Sequence, residues 1–189
     1  WGGELFASAG YARSALALRG RGGSDGERFY VEDVADYVSD VANTIALAKS
    51  RHPGLPLYLL GHSAGGVVSA TYVLDNASQL AGFICESFAF QVPAPGFALA
   101  AIKGIRHIAP RLPVLKLKNE DFSRDPNAVE ALNNDPLTAH EAQPAATVAA
   151  LNGRYVAGSK LNSSAPKIDA VQPTHSTMCA ARARAVNDF

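Results

Sequence analysis

The chain has 189 residues, 48% of them apolar and 18% charged, so it can bury a core and is not disordered. Lys plus Arg and Asp plus Glu each number 17, for zero formal net charge, and no basic run interleaves with aromatics, which excludes nucleic acid as a partner. The best apolar candidate, Phe97 to Ala101, is interrupted at Lys103, Arg106 and His107, which excludes a transmembrane helix.

The first residues lack the basic region and apolar core of a signal peptide. The chain starts at Trp1 and its one methionine is Met178, so a processed, truncated or partial N-terminus is expected. Cys85 and Cys179 lie far apart and suggest no disulfide framework, which fits a reducing, cytoplasmic setting.

In chain order, Trp1 to Ala9 reads as a helix end closed by Gly10. Tyr11 to Leu18 alternates loosely and predicts a strand. Arg19 to Gly26 is a glycine-rich loop. Apolar residues at Val31, Val34, Ala35, Val38, Val41, Ala42, Ile45 and Ala46 form an amphipathic helical stripe, stopped by His52-Pro53-Gly54. Leu55 to Leu60 reads as a buried strand, Ala64 to Ala77 as a helix, and Leu80 to Glu86 as a further buried strand. Strands alternating with helices imply an α/β fold with a parallel sheet flanked by helices.

After Phe90, prolines at 93, 95, 110, 113, 126, 136 and 144 break the chain into short helices, near Phe97–Ala109, Pro126–Asn133 and Pro136–Leu151. The expected organisation is an α/β core over residues 1–90, a helical cap over 91–164 laid on the active edge of the sheet, and a divergent core segment over 165–189. Ile168 to Gln172 reads as a weak strand.

Two stretches match Gly-x-Ser-x-Gly. Gly22-Gly23-Ser24-Asp25-Gly26 has no strand directly before it and no helix directly after it, and Arg19, Arg21, Glu27 and Arg28 mark it as a solvated, flexible loop. Gly61-His62-Ser63-Ala64-Gly65 lies between a strand and a helix, the context in which the pattern carries a nucleophile. The sharp turn pushes Ser63 toward positive φ, and Gly61 and Gly65 flank it because side chains there would clash. Ser63 is then the nucleophile, lifted above the carboxyl ends of the strands, and the Ala64 amide is an oxyanion donor at a helix N-terminus. The plain structural alternative is a tight turn with a passive serine. His62 reads as a packing or hydrogen-bonding residue and not as the base, since adjacent residues on such a turn point apart.

The blocks from Leu18 to Val31 (LRGRGGSDGERFYV), Asp36 to Asp40 (DYVSD), Pro53 to Pro56 (PGLP) and Leu59 to Gly66 (LLGHSAGG) resemble the monoacylglycerol lipase and lysophospholipase branch of the α/β-hydrolases, densely from Trp1 to about Leu151. The resemblance implies a carboxylic ester hydrolase working through an acyl-enzyme on small acyl esters, with a helical cap shaping the acyl pocket and making transient contact with lipid surfaces. Ser63 matches the family's nucleophile and Ala64 its second oxyanion amide. The departures are specific. The family's His-Gly oxyanion loop would precede Trp1. Ala17 stands where the strand usually carries Asp. His175-Ser176-Thr177-Met178-Cys179 puts Cys179 where the catalytic carboxylate belongs, and the family's histidine would lie beyond Phe189. An incomplete sheet, without the N-terminal strands and the C-terminal Asp/His region, is therefore expected.

The acid and base are not identified by motif. Asp169 before His175 and Asp135 before His140 keep the order serine, acid, histidine, while His107 and His140 read as surface residues of the cap. A serine without a base is a weak nucleophile. The leading reading is a serine esterase or lipase; the alternative is a catalytically silent acyl-ligand-binding module or inactive fragment. A peptidase shares the serine elbow, whereas a dehalogenase would need a carboxylate there. No His/Cys/Asp cluster has ligand spacing, so neither metal nor organic cofactor is implied.

Overall fold

The computed structural model describes residues 2–87, 94–138, 141–159 and 178–181. It divides into two units, one of residues 1–16, 38–90 and 155–189, the other of residues 17–37 and 91–154.

In the first unit, helix α1 (Gly2–Ser8) ends as the sequence predicts. Gly10 takes φ +85°, and its amide donates to Ala7 O while Tyr11 N donates to Phe6 O, the two bonds of a Schellman cap. The strand expected over Tyr11–Leu18 does not form; the segment joins no ladder, and residues 11–17 are exposed. Its loose alternation, broken by Arg13 and Ser14, offers too weak an apolar face to hold an extended segment on a sheet.

Helix α2 (Val34–Arg51), whose residues 34–37 are counted with the second unit, buries Val34, Tyr37, Val41 and Ile45. Its start is three residues later than the apolar periodicity from Val31 suggests, because the Asp33 carboxylate accepts the Ala35 amide at 2.8 Å and caps the helix there. Tyr37, absent from the predicted stripe, replaces the exposed Ala35 and Ala46 on the buried face.

Strand β1 (Tyr58–His62) pairs in parallel with β2 (Gly82–Glu86), and α3 (Ala64–Asn76) crosses between them and packs on both. The β2 run is buried at Phe83 and Cys85, as its sequence implies. β1 is less buried than predicted: Tyr58 is 57% exposed and Leu60 43%. The described sheet has the order β1-β2-β5, so β1 is hydrogen-bonded on one edge only. A strand apolar on both sides is covered only when neighbours flank it and layers close over both faces. The parallel β1–β2 pair with α3 packed on it is the α/β arrangement the sequence implies, and a third strand, β5 (Met178–Ala181), runs antiparallel to β2. Ile168–Gln172 lies outside the described residues.

The second unit holds α4 (Gly96–Ile108), α5 (Pro126–Asn134) and a short antiparallel pair, β3 (Pro113–Leu115) with β4 (Gln143–Pro144), that the sequence did not signal. The Asp125 carboxylate caps α5 by accepting Asn127 N at 2.9 Å, with Pro126 in the first turn. Helix α6 (Ala145–Ser159) begins well after the predicted Pro136, since Pro144 cannot lie inside a helix and instead ends β4 directly before it.

The α6 start is fully buried from Ala145 to Ala149. There Thr147 accepts the Val31 amide at 2.9 Å and donates to Phe29 O at 3.0 Å. Thr147→Val keeps the shape and strands a buried N–H. It is expected to cost about 1–3 kcal/mol in urea denaturation. A cost below about 0.5 kcal/mol would show that the hydroxyl is dispensable.

Candidate active site

The turn from β1 into α3 is built by close approach. A Cβ on Gly61 would stand 2.8 Å from Gly65 O, 2.8 Å from the Gly66 Cα and 2.9 Å from Ser69 Oγ. Two of these atoms are backbone and cannot yield cheaply, so glycine at 61 is what lets helix and strand close together. Gly65 behaves differently from the expectation. Among the described residues nothing lies within 4 Å of a Cβ there, so the clash argument holds for Gly61 alone.

Because the chain must reverse within one residue, Ser63 takes φ +52° and ψ −122°. This is a sparsely populated conformation for any residue with a Cβ. Its amide donates to Glu86 O at 3.0 Å, which ties the reversal to the end of β2. The next helical turn closes with Gly66 N donating to Ser63 O at 3.0 Å.

A serine at a helix N-cap ordinarily turns its oxygen onto an orphan amide. Ser63 occupies that position and makes no side-chain capping bond. Its hydroxyl is therefore not used to hold the helix. Ala64, the first residue of α3, contributes an N–H that has no intrahelical acceptor and lies at the positive end of the helix dipole. A hydroxyl withheld from capping, next to such an amide, can attack a carbonyl carbon while the developing oxyanion meets a donor.

The chain matches the Hydrolase_4 family, described as serine aminopeptidase S33, over residues 3–173. It belongs to that family of α/β-hydrolases. A monoacylglycerol lipase of Mycolicibacterium smegmatis is 32% identical over 152 residues, which cover 79% of this chain and 54% of that protein. A monoglyceride lipase homolog of Monkeypox virus is 37% identical over 123 residues, 65% of this chain and 45% of the relative. Among solved structures, Paleococcus ferrophilus monoacylglycerol lipase superposes with a TM-score of 0.63 at 25% identity, covering 75% of this chain and 53% of that one. The chain spans about half the length of the curated relatives it matches.

Within this α/β-hydrolase frame, Ser63 and Ala64 meet at one turn. His62 is exposed on β1, which corrects the packing half of its packing-or-hydrogen-bonding reading: in the strand's alternation it falls on the same exposed side as Tyr58 and Leu60. His107 is exposed on α4, as expected of a surface residue. The Asp135 carboxylate follows α5 and accepts Leu137 N at 2.8 Å, a local turn bond. His140, Asp169 and His175 lie outside the described residues. Cys179 falls on β5, paired in register with Cys85. Sequence reasoning missed Glu86, whose contribution is a backbone carbonyl, and Ser87, which takes φ +48° just past β2. Neither leaves a signal in residue type. Burial pushes the Tyr72 phenol above its ordinary pKa, consistent with its place on the core side of α3 rather than at the turn.

The second Gly-x-Ser-x-Gly is no elbow. Ser24 donates its hydroxyl to Ala17 O at 2.6 Å in a loop with no helix directly after it. The loop is more constrained than its charges suggested. Arg21 donates to Glu141 and, at 2.6 Å, to Gln143 Oε1. Arg111 Nε pairs with Glu27 at 2.8 Å, and Arg19 pairs with Asp36 at 2.9 Å. Arg21 and Arg28 stack on the Phe29 ring at 5.1 and 4.8 Å. Those arginines, read as marks of solvation, are cross-links within the second unit.

Two substitutions separate strain from packing. Ser63→Gly removes the Cβ at positive φ and is expected to stabilise the fold by about 0.5–1 kcal/mol in thermal or urea unfolding. Gly61→Ala is expected to destabilise it by about 2 kcal/mol or more through backbone overlap. If Ser63→Gly proves destabilising instead, the serine is not strained.

Proposed function

We propose that the chain is a serine carboxylic-ester hydrolase of the monoacylglycerol or lysophospholipid type, acting through an acyl-enzyme on Ser63. The observation that carries the reading is the Ser63 turn: positive φ, an amide tied to Glu86, and a hydroxyl not used as a helix cap. Lipase names among the relatives support an ester over a peptide substrate.

In the proposed reaction Ser63 Oγ attacks the ester carbonyl carbon and gives its proton to a general base. The Ala64 N–H donates to the oxyanion. The base passes that proton to the leaving oxygen, so collapse expels the alcohol and leaves an acyl-serine; water then gives a proton to the base and attacks the acyl carbon, and the fatty acid leaves as the proton returns to Ser63 Oγ. Asp169 and His175 keep the family's order of acid and then histidine, and are the pair to test first as acid and base.

The region from 91 to 164 is proposed as a helical cap that touches lipid surfaces. On α4, Phe97, Ala101, Gly104 and Ile108 recur at helical spacing and are all exposed, Phe97 at 80% and Ile108 at 89%, with Lys103 and His107 beside them. An exposed apolar stripe bordered by basic residues suits an anionic interface. Among the described residues no helix is long and apolar enough to cross a membrane.

A fluorophosphonate probe should label the wild-type chain, and Ser63→Ala should reduce labelling to background. Equal labelling of both proteins would overturn Ser63 as nucleophile. Cys179 at the family's carboxylate position favours a second reading, a silent acyl-ligand-binding module. Hydrolysis of a short nitrophenyl ester, lost in Ser63→Ala, supports the hydrolase. Fatty acid binding without such turnover supports the module.

A further inference from the structure

Among the described residues of the first unit, two residues other than glycine take positive φ, and both are serines: Ser63 at +52° and Ser87 at +48°. Each directly follows a strand, Ser63 after β1 and Ser87 after β2. The two strands run parallel, and their register ends on the pair His62 and Glu86. The Ser63 amide donates to Glu86 O at 3.0 Å, which holds the two strand ends together. Neighbouring strands lie about 4.7–4.9 Å apart, so Ser87 stands roughly one strand spacing from the Ser63 turn. Both serines are at the carboxyl ends of parallel strands, where ligands bind in such sheets. Ser87 is exposed, and among the described residues its hydroxyl has no hydrogen-bonding partner. Glycine at 87 would relieve the left-handed backbone; serine keeps a hydroxyl there and bears the strain.

We propose that Ser87 is a specificity-determining residue whose hydroxyl hydrogen-bonds a free hydroxyl on the alcohol side of the ester that Ser63 attacks. The assignment rests on the reading of Ser63 as the attacking residue. A serine hydroxyl both donates and accepts, so it needs a polar partner on the substrate. The acyl chain offers none. The carbonyl oxygen is taken by the Ala64 N–H. The alcohol remains, and a glyceryl alcohol carries a free hydroxyl a few bonds from the ester. A simple alkyl ester carries no such group. A site that hydrogen-bonds a substrate hydroxyl discriminates against the analogue without it, because its own polar group is then left unpaired. Ser87 therefore selects glyceryl esters over alkyl esters of the same fatty acid.

The test compares monooctanoylglycerol with methyl octanoate, esters of one fatty acid that differ in the hydroxyls of the alcohol. In the full chain, Ser87→Ala and Ser87→Gly are each expected to lower the ratio of kcat/KM values, glyceryl over methyl, by roughly three- to tenfold, as for one uncharged hydrogen bond. Alanine keeps the strain and glycine relieves it, so equal losses assign the effect to the hydroxyl. A ratio unchanged in Ser87→Ala, or lowered in Ser87→Gly alone, overturns the proposal. Slower hydrolysis of both esters in the same proportion gives Ser87 a structural role only and overturns it too. Binding of the two esters is measured in Ser63→Ala and in the same chain with Ser87→Ala added. There the dissociation constant of the glyceryl ester should rise, relative to the methyl ester, by a similar factor. A wild-type chain that hydrolyses neither ester overturns Ser63 as nucleophile, and the binding ratio then decides Ser87. A binding ratio that does not move, or no binding of either ester, overturns Ser87.

Discussion

The Ser63 turn depends on one close approach, that of α3 to the end of β1. With the backbone of Gly65 and Gly66 placed 2.8 Å from where a Gly61 Cβ would be, only glycine fits at 61, and the reversal falls on Ser63. That residue takes a left-handed φ. The hydrogen bond from its amide to Glu86 O then fixes the turn to the neighbouring parallel strand. The other properties of the site follow. The serine sits at a helix N-cap with a backbone conformation outside the extended region usual for a cap, so its hydroxyl is left unspent. The first amide of α3 stands beside it without an intrahelical acceptor.

The same five-letter pattern has opposite outcomes in the two units. At Ser63, strand and helix converge and the serine is strained. At Ser24, no elements converge; the hydroxyl closes a loop onto Ala17 O, and arginines at 21 and 28 stack on Phe29. The pattern's chemistry therefore comes from the elements on either side of it. Charge also read differently in the two places. A cluster of arginines in a glycine-rich stretch suggests solvent, yet guanidinium groups pair with carboxylates and lie on aromatic faces at little cost in hydration.

The sheet shows how far pairing can depart from pattern. The runs at β1 and β2 are apolar enough to be strands, and both are. Burial of β1 depends on what covers its second edge and faces; among the described residues one edge is hydrogen-bonded, and Tyr58 and Leu60 are exposed. The direction of β5 and its register against β2 decide that positions 85 and 179 are paired along one ladder. Spacing along the chain carries no trace of that meeting, and two cysteines so far apart gave no reason to expect it.

By itself the sequence determined α2 to α5 to within a few residues, the order of strand, turn and helix around Ser63, and membership in the α/β-hydrolases. Those features rest on local physics: periodicity, glycine and proline punctuation, and short motifs whose residues are near neighbours. Helix starts were legible where a carboxylate caps beside a proline, as at Asp125, and less so at Asp33, where Val31 extended the apolar period past the true cap. Only the tertiary structure decided that Tyr11–Leu18 stays off the sheet, that Glu86 lends its carbonyl to the turn, that Gly61 and not Gly65 is sterically required, and that β5 pairs antiparallel. Each of these depends on which backbone groups find partners from distant parts of the chain, and hydrogen-bonding groups of the main chain are the same at every residue type except proline.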